Sequence, residues 1–171
     1  MPTNLYGPGD NYDLAASHVL PALVRKMHEA KAGGLAKVSV WGTGKPRREF
    51  LCSDDMADAC VMLMNLPDAA FDQVLHGPND FPLINIGCGE DQTIAELART
   101  VASVVGFRGA LDFDTSKPDG TPRKLLDVAR LKALGWSPRI GLAEGIAAAY
   151  KDFLARQGAR KDFNETTEAR T

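Results

Sequence analysis

Residues 37–58 constrain the fold of this 171-residue chain more than any other stretch. Val38 and Val40 alternate with polar residues, which predicts a half-buried strand that ends at Trp41. The Gly42-Thr43-Gly44 sequence predicts a sharp turn after that strand. A second short apolar run and then a helix follow within the same stretch. A strand, a sharp turn, a second short apolar run and a helix are therefore expected in close succession.

The loop between the two apolar runs carries three cations, Lys45, Arg47 and Arg48. A loop that is held at both ends by regular structure can present such side chains to a ligand. An anion-binding loop and a merely solvated charged hairpin are both compatible with these residues, because exposed basic residues are ordinary. The net charge of −2 argues against a nucleic-acid-binding protein, so any anion site must be local.

Apolar periodicity and capping residues predict two helices in the first half of the chain. Ser17 is placed to cap a helix that ends at Gly33-Gly34. Ser53 is placed to cap a second helix over residues 54–65, with carboxylates in its first turn. One face of this second helix is apolar and is expected in the core: Met56, Ala59, Cys60, Leu63 and Met64.

The second half of the chain has a capping-box pattern, in which Thr93 and Glu96 satisfy each other's helix-end amides. A helix that ends at Gly106 is therefore expected after Thr93. The other segments are predicted as a surface loop (67–82), two strands (83–87 and 110–113), a short helix (128–134) and a last amphipathic helix (142–153).

Composition places the chain among ordinary globular proteins of one domain, with 44% hydrophobic and 25% charged residues. No apolar run approaches the length of a membrane span, and the N-terminus lacks the layout of a signal peptide, so a cytoplasmic protein is expected. Cys52, Cys60 and Cys88 are odd in number and have no metal-type spacing. Neither a disulfide framework nor a metal site is predicted.

Four short segments follow one another along the chain. They are Pro-Thr-Asn-Leu-Tyr-Gly-Pro at 2–8, Ser-His-Val-Leu-Pro-Ala-Leu at 17–23, Trp-Gly-Thr-Gly at 41–44 with Arg-Glu-Phe at 48–50, and Lys-Pro-Asp-Gly-Thr-Pro-Arg-Lys at 117–124. As a set and in this order they resemble the GDP-L-fucose synthases, which are extended short-chain dehydrogenases. The resemblance covers residues 2–154.

The same comparison identifies what the sequence lacks relative to that family. No Gly-x-x-Gly-x-x-Gly turn follows a strand, and no tyrosine has a lysine four positions further on. The resemblance therefore implies an α/β fold, namely the C-terminal substrate-binding part of an extended short-chain dehydrogenase, without most of the Rossmann sheet. Residues 1–154 are expected to form a substrate-binding domain with the last Rossmann-side segments, and residues 155–171 a polar C-terminal tail.

The resemblance implies an NADP-dependent enzyme that epimerises and reduces GDP-4-keto-6-deoxymannose to GDP-L-fucose. Its implied partners are the GDP-sugar, a missing N-terminal Rossmann half and a second copy in a homodimer, but neither nucleic acid nor a membrane. The fragment alone is expected to be inactive. Two alternatives stay open. One is another sugar-nucleotide epimerase or dehydratase, acting on a UDP- or dTDP-sugar; the other is a non-catalytic nucleotide-sugar-binding module or broken gene product.

Catalytic and cofactor-contacting residues are also implied by the resemblance. His18 matches the acid that returns a proton during epimerisation. It also belongs to the positions that match the cofactor-binding segment, together with Pro2, Thr3, Asn4 and Leu5. From the residues alone, a histidine at a helix start is more often a cap or a surface residue.

Four further residues match positions that bind the substrate in that family: Lys26, Trp41, Arg48 and Asp119. The planar guanidinium of an arginine can grip a phosphate, and an indole at a strand end can lie against a sugar or a base. A buried Trp is the commoner outcome in general, and the cations Arg25, Arg47, Arg123 and Lys124 have no such match.

Overall fold

The computed structural model describes residues 1–76 and 82–168, which form short strands interleaved with helices. The strands are β1 (Asn4–Tyr6), β2 (Lys37–Trp41), β3 (Arg47–Arg48), β4 (Phe50–Cys52), β5 (Gln92–Thr93), β6 (Ala110–Asp114) and β7 (Arg123–Lys124). The helices are α1 (Val19–Ala32), α2 (Ser53–Met64), α3 (Asp68–Leu75), α4 (Ile94–Val105), α5 (Ala129–Ala133) and α6 (Leu142–Glu168). The predicted α/β class is confirmed.

The described strands form three small sheets. β1 pairs with β4 and β2 pairs with β6, both in parallel, while β3 lies between antiparallel β5 and parallel β7. The β2–β6 register runs from Lys37 opposite Ala110 to Trp41 opposite Asp114. The chain then turns at Gly42, whose φ of +81° is a conformation that favours glycine. The predicted strand and turn of residues 37–44 are therefore confirmed.

The larger core cluster lies where α1 packs on α4 and α4 packs on α6. Its members include Val24, Met27, Leu97, Val101 and Ile146, all of which are almost fully buried. The sequence produces this packing because each helix carries apolar residues at three- and four-residue spacing, so one face of each turns toward the others. Leu20 at the start of α1 shares this cluster with Tyr6 of β1 and Phe50 of β4.

A smaller cluster lies on the other side of β4 and contains Leu51, Ala59, Ile86, Leu131 and Trp136. Side chains along a strand alternate between its two faces. Accordingly, the central residue of β4 enters this smaller cluster, whereas its two neighbours enter the larger one. The three residues of β4 therefore contribute to both cores.

The predicted helix ends are only partly correct. Thr93 and Glu96 form the predicted capping box, and Gly106 ends α4 with a φ of +75°. Ser17 does not cap α1, however, because the N–H of Ser17 donates to the Asp13 carbonyl in a preceding turn, and His18 takes the N-cap position. Ser53 is likewise the first residue of α2 and not its cap.

Residues 67–82 do not form the predicted continuous loop, because α3 occupies Asp68–Leu75. Pro67 stands at its N-cap and Asp68 lies in its first turn, which are ordinary helix-start signals that the loop composition outweighed in the prediction. Residues 77–81 of that prediction lie outside the described part. The expected strand over 83–87 is limited to one parallel bridge between Pro2 and Ile86.

Apolar side chains remain exposed on α2 and α3. Met64, which was predicted to face the core, is 82% exposed, and Val61 and Phe71 are also exposed. Among the residues that the structure describes, no helix combines the length and the apolar character that crossing a bilayer requires. The last helix continues past the predicted boundary at residue 154, and the division into a domain and a tail stays a prediction.

Candidate active site

A cleft of about 330 Å³ opens between the start of α1, the turn after β2 and the loop of residues 117–121. Six of the residues predicted as site residues line it: Asn4, Leu5, His18, Trp41, Arg48 and Asp119. The apolar wall is supplied by Val19, Leu20, Phe50 and Ile94, and the loops add Pro118 and Gly120. Residues that are up to 116 positions apart in the sequence thus face one opening.

Three predicted site residues do not line this cleft. Pro2 takes part in the bridge with Ile86, and Thr3 is buried, with its hydroxyl donating to the Glu49 carbonyl at 3.4 Å. Lys26 lies on α1 beside the cleft, where its ammonium is 5.1 Å from the centroid of the Trp41 ring. Lys26 is therefore next to the cleft through its contact with Trp41 but does not line it.

His18 occupies the N-cap of α1 with an extended backbone, and its carbonyl accepts from the Ala22 amide. Its imidazole makes no capping hydrogen bond, so the ring faces the cleft as an exposed side chain. Asp10 lies close enough to interact electrostatically with it. Burial raises the pKa of the Asp10 carboxyl, while the Asn11 amide and then His18 oppose that rise.

Trp41 is 62% exposed, so the general tendency of tryptophan to be buried is not followed here. Two lysine ammonium groups lie near its ring: that of Lys26 is 5.1 Å and that of Lys117 is 5.6 Å from the ring centroid. Both distances lie within the range in which the negative face of an indole attracts a cation. An exposed aromatic surface flanked by positive charge is suited to a ligand that carries both a ring and anionic groups.

Arg48 is half-buried, and one of its terminal nitrogens donates to two backbone carbonyls, those of Arg47 (2.7 Å) and Thr121 (2.5 Å). These bonds fix the plane of the guanidinium and do not use the Nε–H or the second terminal nitrogen, and the side chain lines the cleft. The second terminal nitrogen would lie 2.8 Å from a Cβ at Gly120, so a side chain there would displace it. Gly120 therefore keeps the space that the arginine needs.

Asp119 is already engaged within the protein, which its predicted role did not anticipate. The Thr43 amide donates to Oδ1 at 2.8 Å, and the Thr43 hydroxyl donates to Oδ2 at 2.6 Å. A Cβ at Gly42 would collide with the same carboxylate, so the glycine is needed for this close approach. These contacts tie residues 117–121 to the turn after β2, although each oxygen keeps a lone pair for a further donor.

Glu49 is a residue whose importance was not apparent from the sequence. It is fully buried (0% exposed), and its oxygens accept from the amides of Gly89 (2.6 Å) and Leu126 (3.2 Å). Its backbone carbonyl accepts from the Asn4 side chain at 2.7 Å. Two sequence signals could have identified it: its place in the Arg-Glu-Phe segment at 48–50, and its position directly beside an apolar strand, where a carboxylate needs buried donors.

Arg47 and Arg123, which had no predicted role, both bind Asp91. The Nε–H of Arg47 donates to Oδ1 at 2.8 Å and that of Arg123 to Oδ2 at 2.5 Å, across the β5–β3–β7 sheet. Arg123 and then Arg47 lower the pKa of the Asp91 carboxyl. The two arginines therefore hold the sheet together, which leaves Arg48 as the arginine of this loop that faces the cleft.

A second cavity of about 410 Å³ lies on the other side of Arg48 and Phe50. Cys88 and Arg139 contribute to its wall, but apart from Arg48 it contains none of the predicted site residues. The Cys88 thiol donates to the carbonyls of Phe50 and Glu90, and burial raises its pKa. Within residues 1–76 and 82–168, no group of three or more His, Cys, Asp or Glu side chains is arranged to hold a metal ion.

Known proteins are similar to this chain both in sequence and in architecture. A model of the NAD dependent epimerase/dehydratase family matches residues 1–77. GDP-L-fucose synthase 1 of Arabidopsis thaliana is 51% identical over 154 residues, which cover 90% of this chain and 44% of that relative. The GDP-L-fucose synthase of Escherichia coli K12 is 52% identical over 160 residues, covering 92% and 48%.

The fold is also similar to solved structures. A GDP-L-fucose synthetase of Naegleria fowleri bound to NADP superposes with a TM-score of 0.77 at 31% identity, covering 92% of this chain and 46% of that one. The chain is thus similar to the NAD dependent epimerase/dehydratase family over residues 1–77 and to GDP-L-fucose synthases over about nine-tenths of its length. It spans about half the length of the curated relatives it matches.

The buried Glu49 carboxylate gives a first prediction, on stability. In Glu49→Gln one oxygen is replaced by an NH2 group that faces a backbone N–H, and the charged acceptor is lost. We expect the free energy of unfolding to fall by about 2–3 kcal/mol. Urea denaturation measures it, with Glu90→Gln on the adjoining loop expected within about 0.5 kcal/mol of the unsubstituted chain. Equal stability of Glu49→Gln would contradict the structure.

The Asp119–Thr43 contact gives a second prediction, on pH dependence. The Thr43 side chain and amide hold the pKa of Asp119 below its ordinary value of 3.8. Because the folded pKa is the lower one, this contribution to stability is complete above pH 3.8 and is lost as the pH falls through the folded pKa.

Asp119→Asn should therefore reduce the difference in unfolding free energy between pH 7 and pH 3. Thr43→Val, which removes the hydroxyl donor and keeps the amide donor, should reduce that difference less. Urea denaturation of both variants at the two pH values checks this. An unchanged pH dependence in Asp119→Asn would show that the contact does not form in solution.

Proposed function

We propose that this chain is the substrate-binding part of an NADP-dependent GDP-L-fucose synthase, which epimerises and reduces GDP-4-keto-6-deoxymannose. The observation that carries the proposal is the meeting of His18, Trp41 and Arg48 in one cleft. They meet there in a chain that is about half identical to GDP-L-fucose synthases over nine-tenths of its length. The proposed protein is cytoplasmic and acts as a homodimer.

Substrate binding is assigned to the charged wall of the cleft. Arg48 is held in place by backbone carbonyls and can offer two parallel N–H groups to a phosphate. Lys26 supplies a second positive charge beside the Trp41 ring, against which the base or the sugar can lie. Asp119 accepts from the sugar or the base with the lone pairs that Thr43 does not use.

Proton transfer is assigned to His18. Epimerisation next to a ketone requires a base that removes a carbon-bound proton and an acid that returns one to the opposite face. The imidazole of His18 lines the cleft and is not used as a helix cap, so it is free to hold and deliver a proton there. Its partner in the exchange is assigned to the segment that carries the Tyr-x-x-x-Lys pair in the family.

The residues of this chain fit one end of NADP. Asn4, Leu5 and His18 line the cleft and would hold the nicotinamide end, whereas Pro2 and Thr3 support β1 from behind. The Asn4 side chain is oriented by the Glu49 carbonyl. When bound, NADPH supplies the hydride for reduction of the ketone. The pyrophosphate end requires a glycine-rich turn, which this sequence does not contain.

An additional Rossmann segment is therefore part of the proposal. About half of the length of these relatives is not matched by this chain. Val61, Met64 and Phe71 of α2 and α3 are exposed apolar side chains that such a segment would cover. The two described strands of the β1–β4 sheet are parallel, an arrangement that ordinarily occurs within larger, covered sheets.

Nucleotide preference tests the substrate class. GDP should bind this chain about ten-fold or more tightly than UDP, because the polar edge of guanine must be matched by the site that recognises it. Isothermal titration calorimetry of the purified chain with GDP and UDP measures the two dissociation constants. A preference for UDP would favour a UDP-sugar epimerase instead, and binding of neither nucleotide would contradict the proposal.

Replacement of His18 tests the mechanism in protein that contains both this chain and the Rossmann segment. His18→Gln should slow inversion of the carbons next to the ketone by about 100-fold or more, as expected for loss of the general acid that returns a proton to the opposite face. NMR of the substrate follows the appearance of the epimer. His76→Gln, at the exposed end of α3, is the control and should epimerise at the unsubstituted rate. Unchanged epimerisation in His18→Gln would exclude His18 as the acid.

A further inference from the structure

Lys117 is a cation of the cleft region to which no role has been given so far. Its ammonium lies 5.6 Å from the centroid of the Trp41 ring, next to Pro118, Asp119 and Gly120, which line the cleft. Lys26 approaches the same ring from α1. Two positive charges from distant parts of the chain therefore converge on one exposed aromatic side chain.

Neither of these lysines is neutralised by an ion pair within the described residues. Lys117 interacts electrostatically with Asp114, whose carboxylate is already accepting from the Ser116 amide and hydroxyl. Like charges that share a surface repel one another, and the repulsion is relieved when an anion binds between them. With Arg48 also facing the cleft, the local charge is suited to more than one negative group.

The backbone around Lys117 is fixed on both sides. Its own amide donates to the Asp114 carbonyl at 3.2 Å, and the Asp114–Ser116 contacts hold the turn before it. After it, Asp119 is held by Thr43, and the Thr121 carbonyl accepts from Arg48. The loop therefore presents the ammonium at a defined place, so that little ordering is required when a ligand binds.

We propose that Lys117 is a further substrate-binding residue, which contacts the diphosphate of the bound nucleotide together with Lys26 and Arg48. This inference rests on the proposed function, since it places the GDP-sugar in the same cleft. Asp119 then acts partly as a positioning residue, because its bonds to Thr43 keep the Lys117 loop against the Trp41 turn.

Binding of GDP and of guanosine to the purified chain tests the proposal, because guanosine lacks the phosphates. Lys117→Ala should weaken GDP binding about ten-fold, as for one charge-assisted contact, and should change guanosine binding less than two-fold. Lys117→Arg, which keeps the charge, should recover most of the GDP affinity. The dependence of GDP affinity on salt concentration should also decrease in Lys117→Ala.

Lys37→Ala is a matched control on β2. Lys37 is a similarly exposed lysine near the same sheet, but it is paired with Asp112 at 2.7 Å. Its removal should leave the affinity for GDP unchanged. Equal GDP affinity in Lys117→Ala and the unsubstituted chain would overturn the proposal, as would an equal loss of GDP and guanosine binding.

These outcomes separate the new inference from the proposed function. If Lys117→Ala weakens GDP and UDP equally and the unsubstituted chain does not prefer GDP, Lys117 is a diphosphate ligand but the GDP-sugar assignment fails. If the chain prefers GDP and Lys117→Ala binds it normally, the GDP-sugar assignment stands and the role of Lys117 is excluded. Binding of no nucleotide by the unsubstituted chain would overturn both.

Discussion

The buried Glu49 carboxylate, which forms no ion pair within the described part of the chain, is the constraint on which the site geometry depends. Glu49 is removed from water, so its charge must be satisfied by hydrogen bonds from the protein. The donors come from two loops far apart in the sequence, at Gly89 and Leu126, while the carbonyl of Glu49 accepts from the Asn4 side chain. These three chain segments cannot separate without leaving a buried polar group unpaired, and Arg48 and Phe50 of the cleft lie directly beside this junction.

Two adjacent arginines, Arg47 and Arg48, use their positive charge differently: one in a structural ion pair, the other toward the cleft. Arg47 and Arg123 bind the same aspartate and close the β5–β3–β7 sheet, and their positive charge is used within the protein. Arg48 bonds only to backbone carbonyls among the described residues, so its charge is not neutralised. Adjacent arginines in a basic loop therefore have different roles because strand alternation points them to opposite faces.

Much of this arrangement could be predicted from sequence, because strand alternation, glycine turns and capping residues act locally. The strand that ends at Trp41 and the capping box at Thr93 are examples. The cap at Ser17 was mispredicted because Asp13 forms a competing turn, and the roles of Glu49 and Arg47 could not be derived at all. Their partners are about 40 positions or more away in the sequence, and no local pattern identifies them.

The short strand β4 connects packing in the interior with the position of Arg48 in the cleft. Leu51 packs in one core cluster while Phe50 and Cys52 pack in the other, and Arg48 lies two residues before this strand. A shift of β4 by one position would exchange the two faces and disturb both clusters together. Packing of β4 in both core clusters therefore fixes its position along the strand direction. The position of Arg48, which precedes β4 by two residues, depends on that packing on both faces.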